Sequence, residues 1–206
     1  MTHASTTDLL ALHAVRLRGF VDSPGAAARF GLDPADVDEH LLDAQARGWV
    51  SWSAFAGTGG WSLTDAGRRA DEAALAEELD DAAGRVTVEQ VHEAFLPLNT
   101  RLATAATRWQ LRPTQADPFA ANTHDDAAWD AGVLADLGRV EAGLRDLGPR
   151  LAAALDRLAG YDERFTTALE RAGREPEYVT GVGVDSCHAV WFELHEDLIA
   201  TLGLTR

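Results

Sequence analysis

The sequence predicts a mainly α-helical protein that carries one small β-hairpin near its N-terminus. Apolar residues recur at helical spacing over most of the chain, and helix-start signals recur at Ser23-Pro24, Asp33-Pro34, Thr64-Asp65 and Thr87. A strand, glycine loop, strand pattern is confined to residues 49–63. At 206 residues, 46% hydrophobic and 25% charged, the chain falls in the range of soluble globular proteins and can bury a real core.

Residues 7–20 read as an opening helix, with Leu9, Leu10, Leu12, Val15 and Leu17 on its apolar side and Arg16 and Arg18 toward the polar side. Ser23-Pro24 opens a second helix: a side-chain oxygen serves the open N–H groups, and the proline ring suits the first turn. Gly31 turns the corner. Asp33-Pro34 repeats the signal, with Asp36 where a carboxylate suits a helix N-terminus. Val37, Leu41 and Ala44 then fall at i, i+4 and i+7 and give this third helix a buried face. Gly48 ends it. Residues 49–53 and 61–63 read as strands around the loop Gly57-Thr58-Gly59-Gly60, and Thr64-Asp65 caps a helix to about residue 82.

Past Gly84 the pattern is helical throughout. Thr87 and Gln90 form a capping box for a helix to about residue 111, carrying Val91, Phe95, Leu98, Leu102, Ala105 and Trp109. Pro97 inside it predicts a kink and an unpaired carbonyl near Asn99. Residues 114–125 read as a polar loop, and Asp125 or Asp126 starts a helix ending near Gly148. Residues 149–158 and 162–172 read as two further helical pieces, 173–183 as a loop with 178–180 extended, and Asp185-Ser186 caps a last helix over 187–202. Two domains are expected, residues 1–82 and an all-α domain over 83–206.

The order helix, turn, helix, strand, glycine loop, strand, then Leu63-Thr64-Asp65-Ala66-Gly67-Arg68 opening a helix, resembles the winged helix-turn-helix of bacterial transcription regulators. The MarR-like type is most similar, over about the first 80 residues. The resemblance implies double-stranded DNA as a partner, with the helix from Asp33 in the major groove and the glycine loop as the wing. Base-edge positions would then be Ala35, Asp36 and His40, with Thr58 on the wing. Phosphate contacts would fall to Arg16, Arg18, Arg29, Arg47, Arg68 and Arg69. The early exposed part of that helix also carries Asp38 and Glu39 and offers no Arg, Lys, Asn or Gln, the usual base readers, and residues 55–60 hold no basic residue. A winged helix used as a protein-interaction module is therefore the alternative.

Charge sharpens the same question. The formal net charge is −15, which opposes nucleic acid over the whole surface. Residues 1–70 hold six of the 18 arginines against eight of the 33 acids, so most of the excess lies elsewhere. Lysine is absent, and abundant arginine and alanine fit a bacterial genome of high GC content. The single cysteine, Cys187, excludes an internal disulfide framework and fits a reducing cytoplasm. No apolar run approaches the roughly 20 residues of a membrane helix, and residues 1–8 lack a secretion-signal pattern.

No enzyme signature is present: there is no phosphate loop, nucleophile elbow or paired-cysteine motif. His188 and His195 are seven residues apart, about 10.5 Å along an ideal helix, too far to share a metal. A pocket for an apolar or aromatic effector is expected among His92, Phe95, Asn99, Trp109, Trp129, His188, Trp191, Phe192 and His195, where aromatics gather on the later helices. Core filling is the competing role for those rings. The expectation is a cytoplasmic, homodimeric, DNA-binding regulator without catalytic residues, metal or cofactor.

Overall fold

The computed structural model describes residues 3–55 and 57–204; Met1, Thr2, Thr205 and Arg206 lie outside them, as does Ala56 of the expected wing. The described residues are mainly helical, with a single two-stranded antiparallel sheet among them. The helices are α1 (Thr7–Arg18), α2 (Ser23–Phe30), α3 (Pro34–Ala46), α4 (Asp65–Asp81), α5 (Arg85–Gln110), α6 (Ala127–Ala154), α7 (Tyr161–Ala172), the single turn α8 (Glu177–Thr180) and α9 (Cys187–Leu202). The strands β1 (Val50–Phe55) and β2 (Thr58–Leu63) lie between α3 and α4. The chain forms two compact units: residues 3–86 with 153–157 and 196–204, and residues 87–152 with 158–195. The expected division at residue 82 differs from this grouping, because the ends of α6 and α9 belong to the first unit.

In the first unit the inner faces of α1, α2 and α3 close on Ala11, Val15, Ala26, Val37, Leu41, Val50 and Trp61. Asp33 and Thr64 act as expected N-caps, accepting from the backbone N–H groups of Ala35 and Gly67. At α2 the cap is Asp22, which accepts from Gly25 N–H, whereas Ser23 lies inside the first turn. Its hydroxyl is committed elsewhere, donating to Asp38 and accepting from the indole N–H of the buried Trp61.

The hairpin is longer than its sequence indicates. Gly59 and Gly60 sit in β2, paired with Ala54 and Ser53, not in a loop. Aromatic rings explain the glycines: an added Cβ would lie 2.4 Å from the Trp52 ring at Gly59 and 2.8 Å from the Phe20 ring at Gly60. A similar demand fixes the start of α4. A Cβ at Gly67 would lie 1.9 Å from the Trp49 carbonyl oxygen, and Thr64 donates its hydroxyl to the Gly48 carbonyl beside it.

Helix α5 begins at Arg85, two residues before the expected cap at Thr87, and runs unbroken across Pro97 into the second unit. Asp126 caps α6, accepting from the N–H groups of Ala128 and Trp129. This helix does not stop at Gly148-Pro149 but continues to Ala154. Val133, Leu137, Val140, Leu144, Leu147 and Leu151 keep the buried stripe going through the proline. Residues 178–180 form the helical turn α8, not an extended segment, following Pro176 at its N-terminus. Ser186 serves the N-terminus of α9, accepting from Ala189 N–H.

Candidate functional site

The first unit contains a chain of buried charges. His13 on α1 is fully buried, its Nδ1 3.2 Å from Asp71 of α4 and its Nε2 3.0 Å from Asp197 of α9. Burial alone would push the imidazole down, but the two carboxylates outweigh it and raise its pKa to about 9. Burial likewise opposes ionisation of Asp197, yet the Arg157 guanidinium and His13 hold it well below the usual carboxylate range. Arg157, itself buried, donates from Nε to Glu78 Oε2 at 2.7 Å and from Nη2 to the Thr201 hydroxyl at 2.9 Å. Arg16 extends the network to Glu72 at 2.9 Å, Glu196 at 3.0 Å and Asp71 at 3.3 Å. Cations and carboxylates are thus interleaved, the arrangement that lets a low-dielectric interior retain charge.

A cavity of about 500 Å³ lies beside this network, between the segment entering α1, the far end of α3 and the outer turns of α4. Glu78 joins the two features: it lines the cavity, while its carboxylate is held on one side by Arg157. A second cavity, next to α7 in the second unit, is lined by Arg164, Arg171, Tyr178 and Asp185. There Arg164 is clamped by Glu193 and Asp185, and these carboxylates outweigh burial in holding it cationic.

Of the residues expected to contact DNA, Arg16 is committed to the buried network, its side chain only 5% exposed. Arg29 is half-buried with its guanidinium 4.5 Å from the Phe30 ring centroid. Arg18 and Arg69 are exposed, and Arg68 reaches to 3.8 Å from Glu196. Ala35 and Asp36 are exposed on the first turn of α3, joined by Asp38 and Glu39. His40 is half-buried in the wall of the first cavity, and Arg47 lines the same cavity with its guanidinium over Trp49. Thr58 is exposed opposite Phe55, which is 84% exposed, and Trp52 on the same strand is 45% exposed. The outward surface of α3 and the hairpin is therefore acidic and aromatic.

The residues expected to hold an effector pack largely against one another. Phe95 and Trp191 are buried and stacked with ring centroids 4.4 Å apart, and the Trp191 indole N–H donates to Asn99 Oδ1 at 2.9 Å. His92 and His195 flank Phe95, and burial lowers the His92 pKa. Trp109 is buried against His124, while Trp129 donates to the Arg108 carbonyl under that arginine's guanidinium. His188 and Phe192 stack together on the exposed side of α9. Neither cavity is lined by any of these nine residues. Among the described residues no group of three or more His, Cys, Asp or Glu side chains is placed to hold a metal ion.

Sequence reading missed the network and the acidic cavity. His13, Asp71, Glu78, Arg157 and Asp197 are spread over 184 residues, and no local pattern connects them. Their one visible signal is polarity on otherwise apolar helix faces, as with His13 between Leu12 and Ala14.

No protein-family model, curated protein or solved structure matches the chain. Among the described residues, no helix is long and apolar enough to cross a membrane.

Proposed function

We propose that the N-terminal unit is a winged helix-turn-helix module that docks on a protein surface, not on DNA. The observation that carries this reading is the chemistry of the helix that would read the groove. Four of its exposed positions, Asp36, Asp38, Glu39 and Asp43, are carboxylates, which phosphates repel. The hairpin adds to it: Phe55 and Trp52 offer apolar area at the place of the wing, Thr58 pairs with Phe55, and residues 55–60 hold no basic residue. A partner with basic and apolar surface groups matches both features.

The element order and the exposed Arg18, Arg68 and Arg69 favour the second reading, a DNA-binding regulator. Fluorescence-anisotropy titration against duplex DNA from upstream of the gene, at several salt concentrations, separates the two. The docking reading expects no sequence-selective binding at low salt by the folded protein. It also expects a cross-linked partner whose yield falls with Phe55→Ser and with Asp36→Asn/Glu39→Gln. Selective, salt-sensitive DNA binding that weakens in Arg18→Ala and Arg69→Ala overturns it and establishes the regulator.

A further inference from the structure

We propose that the free edge of strand β1 is a self-association surface, on which a second copy of this chain adds its own β1 antiparallel. The ladder shows which backbone groups are open. Trp61 of β2 exchanges both of its backbone hydrogen bonds with Val21, at 2.7 and 3.2 Å, so its N–H and C=O face away from β1. Trp52 is its cross-strand partner, and in an antiparallel ladder such a pair shares no hydrogen bonds. The N–H and C=O of Trp52 therefore point outward, and by the two-residue alternation so do those of Ala54. Among the described residues, none outside β2 bonds to the backbone of residues 51–55, and all five of these residues are exposed.

Sheets normally guard such an edge with a charge, a proline or a bulge. Strand β1 holds no charged residue and no proline, and its register with β2 runs one-to-one from Val50 opposite Leu63 to Phe55 opposite Thr58, without a bulge. The same lack of charge selects the occupant. Two chains of net charge −15 repel, and a seam without carboxylates is where they can meet. An antiparallel strand pair is also self-complementary about a two-fold axis. With the axis at Ser53, Trp52 of each copy exchanges both backbone bonds with Ala54 of the other, and each indole lies beside a methyl group, not a second indole. The two hairpins then form one four-stranded sheet. The seam is backbone, so the Phe55 ring, on the sheet face opposite to Trp52, stays open to another partner. The α3 carboxylates take no part in it, and the inference does not rest on the docking reading. One strand edge covers less than the roughly 1,000 Å² of a stable interface, so the dimer is weak and concentration-dependent.

Sedimentation equilibrium of the full chain, over a wide range of concentration at low and high salt, tests the edge. A monomer–dimer equilibrium is expected. It should tighten at high salt, because screening removes the repulsion between two −15 chains, whereas an ionic dock loosens. Ala54→Pro takes away an N–H that β2 does not use, and is expected to weaken the dimer about thirtyfold, as for one backbone bond lost from each copy. If that variant does not fold, Ser53→Lys carries the test: like charges face to face at the axis should weaken the dimer about fivefold. Cysteine cross-linking reads the register, since Cys187 is buried and does not compete. Ser53→Cys should form an intermolecular disulfide under mild oxidation, because residues directly opposite there stand about 4.5 Å apart between Cα atoms. Ser51→Cys, about 14 Å from its counterpart along the strands, should not. A monomer at every concentration, a dimer that loosens with salt, unchanged dimerisation in the folded edge variant, or equal cross-linking of the two cysteine variants would each overturn the proposal.

Discussion

Raising the pH should strip stability from the first unit through one residue, His13. Its folded pKa of about 9 stands above the ordinary 6.5, so the imidazolium stabilises the fold fully below about pH 6. That contribution fades as the pH climbs and is gone once it passes the folded value. At about 1.4 kcal/mol per pH unit, the gap corresponds to about 3 kcal/mol. Most of it disappears between about pH 6 and 9. Asp197 acts in the opposite direction: its depressed pKa stabilises above the ordinary carboxylate range and is lost on acidification, which leaves a stability plateau in the mildly acidic range. Urea unfolding at a series of pH values, with the wild type compared against His13→Gln, reads the histidine separately from the general repulsion of a −15 chain. The wild-type curve should fall more steeply between pH 6 and 9 than the variant's. His13→Gln should itself be less stable at pH 6 by about 3–5 kcal/mol, because it leaves Asp71 and Asp197 without their shared cation. If the variant does not fold, the imidazole proton resonances of the wild type carry the test. An NMR titration midpoint at or below 6.5, or equal slopes in the two proteins, would refute the reasoning.

Gly67→Ala should destabilise by about 1–3 kcal/mol, since a Cβ there runs into the Trp49 carbonyl; an unchanged melting temperature would show that α4 can shift freely. Cys187 is buried with its thiol pushed up to about 12 by desolvation, so Ellman's reagent at pH 8 should leave it unmodified in the native protein and react promptly in urea. Prompt native labelling would place the start of α9 in frequent contact with solvent. Asn99→Ala should cost about 1–2 kcal/mol in urea unfolding by removing the acceptor of the buried Trp191 indole N–H. A neutral result would mean that another acceptor takes its place.

Local chemistry made much of the fold legible. Asp33, Thr64 and Asp126 announce helix starts because each supplies an oxygen to N–H groups within three residues of itself, a relation that sequence displays directly. The errors arose where a distant partner overrode that local grammar. Ser23 resembles a cap, but Trp61 and Asp38 claim its hydroxyl. Gly59 and Gly60 resemble a loop, but the rings of Trp52 and Phe20 require bare backbone within a strand. Gly148-Pro149 resembles a stop, but Leu147 and Leu151 continue the buried face of α6. The acidic cavity obeys the same logic in reverse. Asp8, Asp43 and Glu77 each read as ordinary solvated acids until three helices bring them round one space.

The His13 to Asp197 pair joins residues that stand 184 positions apart in the sequence. On the ribosome, at about 5–20 residues per second, the histidine emerges roughly 10–40 s before its second carboxylate exists. Over that interval α1 to α4 can gather, but the cationic imidazole has only Asp71 to balance it. The N-terminal unit is therefore finished last although it is made first, and a fragment of residues 1–82 lacks both Arg157 and Asp197. Function carried by that unit therefore waits on α9, which is made long after α1 to α4.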